Sequence, residues 1–241
     1  MKRFYLLLPL LALVALIFVV GCAEEPADPA SIATGGALYD KWWKISDTAS
    51  EPSGDHPLWS IQSTNERDGS GTWRCKECHA WDYRGSEGAY SSGSHYTGFP
   101  NLLAAVSEQS KSDILDHLEG HLAPLGLNEV DIDNLADFLN EGLVDNRKYI
   151  NYDTKKVIGA NLANGEKLYN STCASCHGDD GRMFLIEETE SVSSLANGNP
   201  WEILHKIRFG QPGTAMPSGV ANGWSTQDAA DVLGYAQTLP E

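Results

Sequence analysis

The chain of 241 residues holds only three methionines, Met1, Met183 and Met216, so everything from Lys2 to Arg182 is without a thioether side chain. Basic residues are scarce as well: 17 Lys and Arg face 33 Asp and Glu, a formal charge of −16 that falls to −18 once Lys2 and Arg3 are set aside. So acidic a surface excludes nucleic acid as a partner; it would steer a basic protein, although acidity also simply serves solubility. No G-x-S-x-G elbow, phosphate-cradling loop or dinucleotide fingerprint occurs, and the scattered Asp-Gly and Asn-Gly pairs read as turns. The common hydrolase, nucleotide-binding and dehydrogenase chemistries therefore have no residues to carry them. The remaining composition, 41% hydrophobic and 21% charged, is that of a folded globular chain.

One stretch departs from that average. Lys2 and Arg3 precede an apolar run from Phe4 to Val20, broken by Pro9 and closed by Gly21-Cys22-Ala23-Glu24-Glu25-Pro26. That is the layout of an export signal, and the run is short for crossing ~30 Å of hydrocarbon. Val19-Val20-Gly21-Cys22 resembles the lipobox of bacterial lipoproteins. The resemblance implies a signal peptide over residues 1–21, lipidation of Cys22 and a polar tether over 22–32. The mature protein would then sit on the periplasmic or extracellular face of a membrane, since lipid chains anchor without spanning.

The other four of the five cysteines form two pairs, Cys75-Lys76-Glu77-Cys78-His79 and Cys173-Ala174-Ser175-Cys176-His177. Each is a C-x-x-C-H haem-attachment motif. Two thiols three positions apart reach the two vinyl-derived carbons on one porphyrin edge, and the adjacent histidine turns its imidazole onto the iron. Zinc would want the pairs ~15–20 residues apart and has no use for both trailing histidines. Disulfides or a thioredoxin-like pair would not need the histidines either, and no βαβ pattern surrounds the motifs.

Around the motifs the sequence repeats itself. Thr34-Gly35-Gly36-Ala37-Leu38-Tyr39 before the first matches Ala163-Asn164-Gly165-Glu166-Lys167-Leu168-Tyr169 before the second, each predicting a helix with an inward aromatic. Downstream, Ser112 to Glu119 ends at Gly120 as Pro200 to Phe209 ends at Gly210, a helix with a glycine stop in each. Asn128 to Leu143 and Ser225 to Leu239 read as capped closing helices. This order resembles the small cytochrome c fold in tandem. The resemblance implies an all-α protein with one domain over 33–145, a linker over 146–158 and a second domain over 159–241. The first copy carries long irregular insertions, Lys44 to Arg74 and Trp81 to Pro100, whose aromatics Trp59, Trp73, Trp81, Tyr83, Tyr90 and Tyr96 predict packed loops covering a haem edge. The charges of the linker, Arg147, Lys148, Lys155 and Lys156, read as solvation.

Two haem c groups are thus expected, bound through Cys75 and Cys78, and through Cys173 and Cys176, with His79 and His177 on the irons. An electron-shuttling iron takes a sixth ligand, usually methionine or a second histidine. Met216 lies in Gly210-Gln211-Pro212-Gly213-Thr214-Ala215-Met216-Pro217, where the cytochrome c family places its methionine; Met183 reads as core filling. The first copy has no methionine, leaving His56, His95, His117 and His121. Aligning Gly120 with Gly210 puts His121 in the distal loop, with His117, His95 or an open iron as alternatives. Methionine raises the potential of a c-type haem relative to bis-histidine, so electrons are expected to enter at the first haem and leave from the second. The function implied is electron transfer between redox protein partners, as a carrier or as a subunit of an oxidoreductase. The alternative is a di-haem enzyme resembling thiosulfate dehydrogenases or di-haem peroxidases, with its active haem in the first domain.

Overall fold

The computed structural model describes residues 25–185 and 190–241; the expected signal segment and lipidation at Cys22 lie outside the described residues. In chain order the α-helices are α1 (Pro29–Lys41), α2 (Cys75–His79), α3 (Leu102–Val106), α4 (Lys111–Leu122), α5 (Glu129–Asp137), α6 (Leu162–Thr172), α7 (Ala174–His177), α8 (Val192–Gly198), α9 (Pro200–Phe209) and α10 (Thr226–Ala236). The protein is all-α: no strand occurs among the described residues, and an isolated bridge joins Ile150 and Val157. No helix among them is long and apolar enough to cross a membrane.

One joint is built twice. α1 crosses α5 at Gly35, where an added Cβ would stand 2.0 Å from the Asn134 carbonyl oxygen; α6 crosses α10 at Gly165, where it would stand 2.1 Å from that of Asp231. Only glycine lets backbones approach so closely. One turn further along each helix a tyrosine is buried, and its hydroxyl donates to the carbonyl just after a motif histidine. Tyr39 bonds Ala80 at 2.6 Å and Tyr169 bonds Gly178 at 2.9 Å. The closing helices start as their sequences predict, capped by Asn128 and Ser225, the latter in a reciprocal capping box with Asp228.

Several boundaries differ from expectation. α1 begins at Pro29 behind an Asp28 cap, so residues 29–32 of the expected tether are helical, and the Ser31 hydroxyl donates to Asn134 and Asp137. α4 does not stop at Gly120 but runs on to Leu122; the left-handed stop comes at Gly126, with φ of 70°. The 146–158 segment is pinned at points along its length: Ile150 is buried and Arg147 lies over Tyr152, while Lys155 and Lys156, exposed like Arg147 and Lys148, donate to Gly198 and Asn197. The long insertions are packed, as their aromatics require. Three indoles pin the first by donating to backbone carbonyls, Trp42 to Trp73, Trp59 to Arg67 and Trp73 to Gly54. The carboxylate of Asp82 organises the second, accepting from the Ala89 amide and the Tyr152 hydroxyl.

The two halves share a buried polar seam between α1 and α9. Lys206 Nζ and the Arg74 guanidinium converge on Asp40, which is wholly inaccessible. Burial alone would raise the Asp40 carboxyl, but the two cations outweigh it and hold it at about 2. Beside them His205 is enclosed by Tyr39, Trp81, Tyr83, Phe138 and Phe209, and burial pushes its imidazole down to about 3. Both shifts are downward from the unfolded chain, so both stabilise at neutral pH and are lost on acidification. Unfolding free energy should fall as the pH drops from 6.5 toward about 3, where unfolded His205 is protonated and the folded imidazole resists, and again from 3.8 toward about 2 through Asp40. Urea unfolding followed as a function of pH checks this, and the acid limb should shrink in His205→Gln.

Candidate haem-binding sites

α2 is a single turn whose geometry follows from the motif. Residues three and four apart on a helix share a face, so the thiols of Cys75 and Cys78 and the imidazole of His79 are presented together. The second motif has the same form, with Cys173 at the cap of α7 and His177 in its last turn. None of these four cysteines is paired in a disulfide, so each motif keeps both sulfurs for attachment. Among the described residues no three His, Cys, Asp or Glu side chains converge as ligands for a bare metal ion.

The surroundings of His79 suit an iron ligand. Its Nδ1 faces the Pro100 carbonyl at 3.5 Å, which orients the ring and leaves Nε2 for a metal. Burial, with His121 close by, pushes the His79 imidazole down to about 4, so it is in the neutral form that ligation requires. The ring of His121, in the last turn of α4, stands opposite at 6.4 Å between centroids with 62° between planes. Two imidazoles sharing a metal at about 2 Å from each nitrogen have ring centres about 6 Å apart. The pair therefore fits a single iron between them.

The other first-half histidines are engaged elsewhere. His117 is exposed, with Nδ1 at 2.7 Å from the Asp113 carbonyl one turn back. His95 stacks on Tyr90 at 4.8 Å. His56 caps the 3-10 turn Pro57–Ile61, accepting from the Leu58 amide, with its ring edge-on to Trp73.

In the second half, Met216 is half-buried in the loop after Gly210 and lines a cleft of about 230 Å³ with Ala33, Thr34 and Ala37 of α1, Ile45 and Phe209. Its loop is shaped by Gly210, whose φ of 82° ends α9, and by the Thr214 hydroxyl, which accepts from the Met216 amide. Met183 is not core filling: it is 71% exposed, in a turn where its amide bonds the His177 carbonyl at 2.9 Å. Phe184, next to it, sets its ring edge-on to His177 at 6.3 Å.

Comparison with known proteins bears on this second half. The family model for cytochrome C oxidase, cbb3-type, subunit III matches residues 160–235, a span that contains Cys173 to His177 and Met216 but not the first motif. Cytochrome c6 of Cyanidium caldarium is 33% identical over 82 residues, 33% of this chain and 72% of that protein. Cytochrome c6 of Thermosynechococcus vestitus and of Thermostichus vulcanus are each 27% identical over 85 residues, 34% of this chain and 73% of those proteins. An all-α frame presenting paired thiols beside a histidine is that of the covalent-haem redox proteins. Within that class the chain belongs to the c-type cytochromes: it carries haem c and serves electron transfer.

Proposed function

We propose that the chain is a di-haem electron-transfer protein of two tandem cytochrome c domains, exported and held by lipid at Cys22 on the outer face of a bacterial membrane. The observation that carries the two-haem reading is the duplicated joint: Gly35 and Gly165 at the helix crossings, and Tyr39 and Tyr169 bonded just beyond His79 and His177. Cys75 and Cys78 would hold one haem and Cys173 and Cys176 the other. Haem c, when bound, supplies a one-electron Fe(III)/Fe(II) couple and no bond chemistry. The first iron takes His79 and His121, supported by the 6.4 Å facing pair. The second takes His177 and Met216, supported by sequence position. The redox partners are proteins, and the acidic balance of 33 to 17 favours basic ones.

Potentiometry of the full haem-loaded chain, with haem counted as the pyridine haemochrome, tests this. The expected result is two haems, low-spin when oxidised, with the bis-histidine site at the lower potential. One haem per chain overturns the tandem reading. A high-spin iron in the unmodified protein turns it toward the enzymatic alternative.

A further inference from the structure

The turn that follows His79 is strained and is held from the other half of the molecule. Ala80 and Tyr83 both have φ of 63°, a region costly for residues with a Cβ, whereas Gly178 follows His177 at φ of 79° without such cost. Three groups hold the strained turn. The Tyr39 hydroxyl bonds the Ala80 carbonyl, and the Tyr83 amide bonds the same oxygen at 3.3 Å. The third contact comes from α9: the buried Tyr83 hydroxyl donates to His205 Nδ1 at 2.8 Å. The tautomer is set on the far side of the ring, where Nε2–H donates to the Gly36 carbonyl at 3.0 Å and so leaves Nδ1 bare to accept.

Tyr83 is also where the loop that orients His79 is fastened. Its carbonyl accepts from the Leu103 amide at 3.0 Å, and Ser86, three residues on, donates to the Phe99 carbonyl at 2.9 Å. These two bonds bracket Pro100, whose carbonyl faces His79 Nδ1. We infer that His205 is a positioning residue for the first haem: through Tyr83 it sets the Pro100 carbonyl against His79 and so the donor strength of that ligand. The second half of the chain thereby tunes the iron of the first. This rests on the reading of His79 as an iron ligand.

A weaker hydrogen bond at Nδ1 makes the imidazole a poorer donor and favours Fe(II), so losing the anchor should raise the first midpoint potential. The experiment compares His205→Phe, the nearly isosteric Tyr83→Phe and His205→Gln in the full haem-loaded chain. Each is read by potentiometry, low-temperature EPR and haemochrome count. Both phenylalanine variants should keep two haems, raise the first midpoint and move the g values of the first haem alone, with the double variant no worse than either single. Glutamine can donate to Gly36 and accept from Tyr83, so His205→Gln should restore both readouts. Where His205→Phe does not accumulate, Tyr83→Phe removes the same bond with one oxygen. A lower melting temperature with unmoved potentials and g values would make His205 merely structural and overturn the inference. A single haem in the parent protein would instead remove the reading of the first motif on which it rests.

Discussion

Asp40→Ala lowers the free energy of unfolding by about 3–5 kcal/mol, the cost of breaking a buried ion pair by deleting one partner. The carboxylate has no access to solvent, and both its oxygens are used, one by Lys206 Nζ at 2.5 Å and the other by the Arg74 guanidinium. Lys206 keeps only the more distant Glu202 carboxylate, at 3.9 Å, and Arg74 has no second carboxylate among the described residues. Arg74 is fixed by its Nε bond to the Asp40 backbone carbonyl at 2.9 Å, and both cations lie over the Trp81 ring, at 5.7 and 5.0 Å. Deleting the carboxylate leaves two positive charges facing indole and buried backbone. Lys206→Met should cost less, because Asp40 keeps Arg74 and the methionine refills the stem's volume. Urea unfolding of the three proteins at neutral pH measures the difference. A loss for Asp40→Ala below about 1 kcal/mol, the scale of an exposed pair, would mean that water reaches the seam.

That seam was the least legible part of the fold. The sequence predicts α9 only as a helix with a glycine stop, and nothing in that pattern places His205, Lys206 and Arg208 inside, yet each is buried. Spacing along one helix reports which face is apolar but not whether a second body covers the polar one. The signal available was the density of apolar residues: Trp201, Ile203, Leu204, Ile207 and Phe209 wrap more than half the helix, leaving little surface for water.

Glycine gave the opposite lesson in two places. Gly35 and Gly165 were recognisable as a repeat because close helix crossing admits nothing larger, so a geometric demand leaves a fixed letter. Gly120 carried no such demand: nothing lies within 4 Å of where its Cβ would be, and the helix passes through it at a cost of about 1 kcal/mol. Reading it as a stop placed His121 in a loop. The residue was the right one to single out, but it faces His79 from a helix, in a register that alignment with Gly210 did not supply.

That register decides the outcome of His121→Ala. The oxidised first haem should pass from low-spin to high-spin in EPR and, once reduced, bind carbon monoxide, while the second haem keeps its signal. The expectation rests on the rotation of α4: the His121 ring lies 6.4 Å from that of His79, whereas His117, one turn earlier on the same helix, has its Nδ1 on the Asp113 carbonyl. His117→Ala should therefore leave the spin state unchanged. His121→Met is the sharper variant, because a thioether in place of the imidazole should keep the iron six-coordinate and raise its potential toward that of a His/Met site. A first haem that stays low-spin in His121→Ala but turns high-spin in His95→Ala would move the ligand from α4 to the 81–100 loop. In that case the 6.4 Å approach of the two rings would be a packing contact, not a coordination pair.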